Sequence, residues 1–288
     1  MLEIRNVVKQ FGKHVTAVDG VSLTLERGVV GLIGHNGAGT TTLMQMIATL
    51  TRPTSGQILF DGVDIVRKPD DMRRRLGFLP QDFGVYPNLT AREFMQYFAA
   101  LKGVRDPARI AYLLELVNLH DKADRPAASF SGGMRRRLGI AQALLGDPDI
   151  LVVDEPTAGL DPEERLRFRN LLADLGFEKL VIMSTHIVSD VESIAGRLAI
   201  MNQGKLVTCE TPEAILENAR GQVWSASIDA GDYDSLRARV HVLHAQRQGQ
   251  SVALRIAHAS APCPGARLVE PSLEEALMAQ RYAVQEVA

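Results

Sequence analysis

Three short stretches of the chain combine glycines, hydroxyls and acids at spacings that suit phosphate chemistry. The first is Gly34-His35-Asn36-Gly37-Ala38-Gly39, followed by Thr40, Thr41 and Thr42. Between an apolar run and a helix, such a loop lets backbone N–H groups converge on an anion, and the helix N-terminus adds its dipole. On this segment alone, a plain strand-to-helix turn fits as well. The second stretch runs Ile150-Leu151-Val152-Val153-Asp154-Glu155-Pro156. Asp154, at the end of a buried strand, can reach a magnesium ion beside the phosphates, and Glu155 can activate an attacking water. Two adjacent acids also suit a solvated strand end. The third, Ser131-Gly132-Gly133-Met134, opens a helix with a hydroxyl and exposed N–H groups, a second place for an anion. Its bland reading is an ordinary cap, although a cap needs no pair of glycines.

The elements that must position these residues alternate. Residues 29 to 33 form an apolar strand before the glycine loop, and Leu43, Met46, Ile47 and Leu50 recur at helical spacing after it. Pro53 and Gly56 stop that helix, and residues 57 to 62 read as a strand ending in a turn. From about residue 90 the pattern is helical: Thr90 and Glu93 make a capping box ahead of Phe94, Tyr97, Phe98 and Leu101, and Ile110, Leu113, Leu114 and Val117 mark a second helix. Residues 149 to 154 and 180 to 185 read as strands buried on both faces. Between them Asp161-Pro162-Glu163-Glu164 starts a helix carrying Phe168, Leu171, Leu172 and Leu175. A helix is expected over about 187 to 195, then a hairpin over 198 to 208. Past residue 220, two half-buried strands, a turn at Gly249 and a last helix capped by Ser272 and Glu275 suggest a small α+β domain over 220–288.

With 288 residues, 46% hydrophobic and 23% charged, the composition is that of a globular protein of one or two domains. No run approaches the ~18 apolar residues that span a bilayer. The first residues lack the apolar core of a signal peptide, so the protein is expected to stay in the cytoplasm where it is made. Cys209 and Cys263 stand far apart and imply neither a disulfide framework nor a metal site. A net charge of -2 argues against a general nucleic-acid binder. Arg73-Arg74-Arg75 and Arg135-Arg136-Arg137 read as solvated helix faces.

Together the motifs resemble the nucleotide-binding subunit of an ABC transporter. The phosphate loop spans 34 to 42, a signature SGGMR spans 131 to 135, and the acidic strand end spans 150 to 156. Asp161 lies in a GLDP like the family's D-loop, Gln81 in its Q-loop, and His186 in STH at its switch histidine. The resemblance covers about residues 1 to 219 and implies an α/β fold of the P-loop NTPase class: a central, mostly parallel sheet, an antiparallel β subdomain and a helical subdomain over about 82–145, followed by the C-terminal extension. It also implies roles. Gly34 to Gly39 with Thr40, Thr41 and Thr42 would hold the phosphates of ATP, Phe11 would stack on adenine, and Thr41, Gln81 and Asp154 would bind Mg2+. Glu155 would polarise the water with Gln81 beside it, His186 would contact the γ-phosphate, Ser131, Gly132 and Gly133 would hold the γ-phosphate of a partner's ATP, and Asp161 would couple the sites. The implied partners are a second copy or a homologous ATPase subunit, docked head to tail, and separate transmembrane permease subunits that hold the pair at the cytoplasmic face of the membrane. No nucleic acid is expected. The segment 131–148 and the ending PSLEEALMAQ are similar to the ATPases of ABC-2 type exporters.

One position departs from the pattern. The usual loop reads G-x-x-x-x-G-K-[ST], and here Thr40 fills the lysine slot while Thr41 keeps the magnesium hydroxyl. Removing one partner of a buried charge pair costs about 2–5 kcal/mol. Three explanations are open: an altered or inactivated ATPase, one that borrows a nearby basic residue, or a variant introduced in cloning or sequencing. Two other classes compete with a transporter ATPase. A soluble ABC ATPase acting on nucleic acid or ribosomes would carry two ATPase domains or coiled-coil inserts, and neither is visible; a nucleotide-binding regulatory subunit without turnover is favoured by Thr40 alone.

Overall fold

The structure, a computed structural model, describes residues 1–12 and 14–286, with side chains through residue 280. It divides into two compact units, Met1–Cys209 and Glu210–Ala288. The first carries β1 (Leu2–Phe11), β2 (Val15–Leu25), β3 (Gly28–Ile33), α1 (Thr40–Ile47), β4 (Ser55–Phe60), β5 (Val63–Asp64), α2 (Pro69–Arg75), β6 (Leu76–Leu79), α3 (Ala91–Leu101), α4 (Pro107–Leu116), α5 (Gly132–Ala143), β7 (Ile150–Val153), α6 (Pro162–Gly176), β8 (Leu180–Thr185), β9 (Arg197–Asn202) and most of β10 (Lys205–Glu210). The second carries α7 (Pro212–Asn218), β11 (Val223–Asp229), α8 (Tyr233–Arg237), β12 (His241–Gln248), β13 (Ser251–Ala257), β14 (Arg267–Leu268) and α9 (Leu273–Glu286). A boundary at residue 219, expected from the change in composition, falls inside the second unit because α7 packs on α9.

Two sheets build the first unit. One is antiparallel in the order β2-β1-β4-β5; the other runs β10-β9-β3-β8-β7-β6, with β9, β3, β8, β7 and β6 parallel. β3, β7 and β8 are apolar on both faces, as strands covered on both sides must be. One core joins the sheets: Leu43, Met44, Met46 and Ile47 of α1 meet Leu2, Ile4 and Ile58 on one side and Val30, Val152 and Ile182 on the other. The glycine loop is therefore anchored by a helix whose apolar face lies in that core.

The helical insert follows its caps. Thr90 Oγ1 accepts from the Glu93 N–H and the Glu93 carboxylate accepts from the Thr90 N–H, the reciprocal box its spacing predicts. Asp106, Ser131 and Asp161 accept from first-turn amides of α4, α5 and α6. The helix expected over 187–195 does not form. The chain makes a single 3-10 turn, Val188–Asp190, followed by irregular turns. The segment keeps local backbone bonds such as Glu192 N–H to Val188 and Ala195 N–H to Val191, but Asp190 spends its side chain on the Thr157 hydroxyl at 2.5 Å and the Gly196 N–H goes to the Val29 carbonyl, so its ladder is interrupted and tertiary bonds share in fixing it.

The second unit is a four-stranded antiparallel sheet, β12-β13-β11-β14, packed by α9. Arg255 on β13 grips Glu275 of α9 through two bonds of 2.6 Å. That guanidinium, and then the Ser272 amide, hold the Glu275 carboxyl below its ordinary value. A lowered folded-state value means that the pair stabilises above the unfolded carboxyl pKa and that this contribution fades as pH falls through the folded one. Arg255→Met is expected to lower the melting midpoint of this unit by roughly a few degrees at neutral pH, with the gap to the parent closing in acid. Trp224, the chain's single tryptophan, donates to the His258 carbonyl in the same unit, so its fluorescence reports the melt.

Candidate nucleotide site

Strand register gathers the motif residues. Ile33 pairs with Thr185 and Val153 with Met183, while Leu79 pairs with Val153. The residues following these strands, Gly34, His186, Asp154 and the Pro80–Gln81 turn, therefore emerge at one carboxyl edge of the parallel sheet, where open α/β sheets bind ligands.

The two ends of the glycine loop, Gly34 and Gly39, are tightly packed. Gly39 has φ 96°, and a Cβ there would meet the Ala17 carbonyl at 2.2 Å. Only glycine allows that approach. The Gly204 N–H donates to the Ala38 carbonyl and the Asp19 N–H to the Gly204 carbonyl, tying the loop to β2 and the β9–β10 turn. α1 has no side-chain cap, unlike α3, α4, α5 and α6, so its first-turn amides stay available to an anion. Thr40, Thr41 and Thr42 are half-buried in that turn, and His35, Asn36 and Gly37 are exposed. The Thr40 methyl turns back into the loop, 2.9 Å from where a Cβ on Gly34 would stand. It puts no charge on the site.

At the neighbouring strand ends, Asp154 is 3% exposed. The Ser184 hydroxyl donates to its Oδ1 at 2.6 Å and accepts from the Glu155 N–H at 2.8 Å. His186 Nδ1 lies 2.8 and 3.0 Å from the two carboxylate oxygens of Glu155. The three functional groups thus form one connected cluster. Gln81 stands exposed at the end of β6, and the Asp154 N–H donates to Leu79. Asp154, Gln81 and Thr41 offer only hard oxygen donors and the buried member is an acid, a set that fits a magnesium ion. Phe11 closes β1 with its ring exposed and the Lys9 ammonium 4.9 Å from its centroid.

Ser131, Gly132 and Gly133 sit apart from this cluster, at the start of α5. Ser131 Oγ accepts from the Met134 N–H, Gly132 is open, and a Cβ on Gly133 would meet Glu164 and Leu160 at 3.3 Å. Asp161 caps α6 through the Glu164 N–H at 2.8 Å. Ser131, Gly132 and Asp161 are exposed, whereas Gly133 is buried.

The structure corrects the reading of the arginine runs as solvated faces only in part: Arg73 and Arg74 are exposed as expected, and the others are not. Arg137 is mostly buried against Glu164, Arg136 donates to the Glu155 carbonyl, and Arg75 bonds both Asp61 and Asp149 over the Phe60 ring. Ser184 also escaped the sequence reading. Its signal was a hydroxyl pair, Ser184-Thr185, closing an otherwise apolar strand.

Fold and site together define a cassette ATPase of the P-loop class. The family model described as ABC transporter matches residues 18–158. NatA, an ABC transporter ATP-binding protein of Bacillus subtilis, is 39% identical over 216 residues, 73% of this chain and 88% of that protein. The Nod factor export ATP-binding protein I of Burkholderia lata is 38% identical over 225 residues, 76% of this chain and 74% of that protein. Among solved structures, the dimeric post-hydrolysis state of the ATP-binding cassette MJ0796, bound to ADP and Pi, superposes with a TM-score of 0.67 at 27% identity, covering 73% of this chain and 98% of that one. The chain belongs to the ABC transporter family as one of its ATP-binding subunits.

Proposed function

We propose that the chain is the ATPase of an ABC-2 type exporter, working as a head-to-tail pair beneath separate permease subunits at the cytoplasmic face of the membrane, with turnover held back by Thr40. The observation that carries this reading is that Gly34–Gly39, Asp154, Glu155 and His186 gather at one sheet edge, whereas Ser131 and Gly133 stand on a different element, at the start of α5. A second copy, turned head to tail, supplies the missing wall. The dimeric neighbour and the export named in one relative support it. No helix among the described residues is long and apolar enough to cross a membrane, which fits a membrane part carried by another chain.

The roles are those the family resemblance implies, and the geometry supports them. Backbone amides of Gly37 to Thr42 cradle the phosphates, and Phe11 offers its ring to adenine. Thr41, Asp154 and Gln81 would hold Mg2+, which when bound neutralises charge on the phosphates. Ser184 orients Asp154. Glu155 accepts a proton from the attacking water, and His186 steers its carboxylate. A second reading, a nucleotide-binding regulatory subunit with little turnover, is favoured by Thr40 specifically.

Tyr86 and Tyr97 stand 50% and 45% exposed with rings 5.5 Å apart, beside the Phe83–Phe94–Phe98 cluster of the helical insert. Such an exposed aromatic group suits a docked permease segment. When the chain is co-expressed with the permease of its own operon, it is expected to co-purify from detergent-solubilised membranes, and Tyr86→Ala with Tyr97→Ala to weaken capture by about 30-fold, the value of about 2 kcal/mol of aromatic anchoring. A chain that stays wholly in the supernatant would refute the transporter assignment.

A further inference from the structure

Glu155 holds its carboxylate on a peptide that the sequence does not favour. Its φ is 47°, in the left-handed region that residues other than glycine rarely adopt, and Pro156 follows it, which pushes the preceding residue toward extended conformations. Such a backbone persists only where its surroundings hold it.

Two side chains do so from opposite ends. Ser184 Oγ takes the Glu155 N–H at 2.8 Å, and Arg136 Nη1 donates to the Glu155 carbonyl at 2.9 Å. The second amino group of Arg136 reaches the Ala158 carbonyl at 3.5 Å, so one guanidinium spans the turn that leads from Glu155 toward Asp161. Burial depresses the Arg136 pKa, and the charges of Glu155, Asp82 and Asp154 oppose that effect. An arginine taken out of water to bond two carbonyls is not a solvated helix face. It also stands on α5, five residues after Ser131 and three after Gly133, in the wall of a cleft shared with Gln81, Asp82 and Gly132.

We propose that Arg136 is a positioning residue for hydrolysis: it fixes the left-handed Glu155 peptide to the helix that begins with the signature, so that the placement of α5 sets the aim of the Glu155 carboxylate. The inference rests on Glu155 being the group that activates water. Arg136 touches no reacting atom; it acts through the Glu155 backbone, and a movement of α5 on pairing would reach Glu155 through this bond.

The test compares Arg136→Met and Arg136→Lys in the full chain, each with Thr40 and with Thr40→Lys. Amide exchange of Glu155, Thr157 and Ala158 reads the bond without any turnover. Arg136→Met is expected to speed that exchange at least tenfold and, in the Thr40→Lys background, to lower kcat by about tenfold to a hundredfold with KM for ATP within about twofold. Arg136→Lys, which keeps one donor, is expected to recover part of both. Unchanged exchange would overturn the proposal, as would faster exchange with an unaltered kcat. A joint loss of kcat, ATP affinity and melting temperature, with lysine no better than methionine, would assign Arg136 to folding instead and overturn it as well. No turnover in the Thr40→Lys parent would defeat the ATPase reading and the catalytic half of the proposal, while the exchange result would still decide whether Arg136 holds the peptide.

Discussion

Thr40→Lys is expected to raise ATP turnover by about 30-fold to several thousandfold, the factor that corresponds to the 2–5 kcal/mol lost when a buried charge has no partner. The structure makes the gap specific. Everything else at the carboxyl edge is assembled: the loop is tied to Gly204, Ser184 orients Asp154, and His186 meets Glu155. Only the charge of the loop is missing, because the short Thr40 side chain turns its methyl toward Gly34. The substitution has an opposite effect on the free protein. A cation in the first turn of α1 opposes the helix dipole, at a cost of about 0.3–1 kcal/mol. Thr40→Lys is therefore expected to melt slightly below the parent without nucleotide and clearly above it with Mg-ATP. Differential scanning fluorimetry beside a phosphate-release assay reads both signs. Equal turnover rates would show that another residue replaces the lysine or that this position does not limit activity.

Glu155→Gln, made in the Thr40→Lys background, carries the second large effect. A positioned base contributes about 10²–10⁴-fold, and turnover is expected to fall by that factor. The amide preserves the size of the side chain and can still bond His186, so ATP affinity stays within about threefold of the parent. With hydrolysis stopped, the ATP-bound pair accumulates. A variant that hydrolyses ATP at the parent rate would remove Glu155 from the mechanism and leave Asp154 and His186 without the group they surround.

Much of this was legible in the sequence because it is local. The glycine loop, the Thr90–Glu93 box, the Asp161 cap and the apolar runs over residues 150–153 and 180–185 each follow from neighbours along the chain. What brings Gly34, Asp154 and His186 to one edge is the register of three parallel strands, and parallel register leaves no trace in a single strand. The same holds for Ser184 and Arg136, whose roles depend on a residue about twenty or thirty positions away. An arginine triplet reads as a solvated face until the helix is packed, after which Arg136 and Arg137 turn out to bond carbonyls and a carboxylate. The helix expected over 187–195 failed for the converse reason: its pattern was apolar enough, but Asp190 is bound to Thr157. The second unit was read from β11, β13 and the cap of α9, whereas β12, whose later residues are exposed on an edge, lacked the alternation that marked its neighbours.

The central claim is that one chain holds two half-sites that only a second copy can close. Sedimentation velocity of the Thr40→Lys, Glu155→Gln chain, with and without Mg-ATP, tests it most directly. A monomer is expected without nucleotide and a species of twice the mass at saturating ATP, lost again on Ser131→Arg. A chain saturated with ATP that still sediments as a monomer would contradict it.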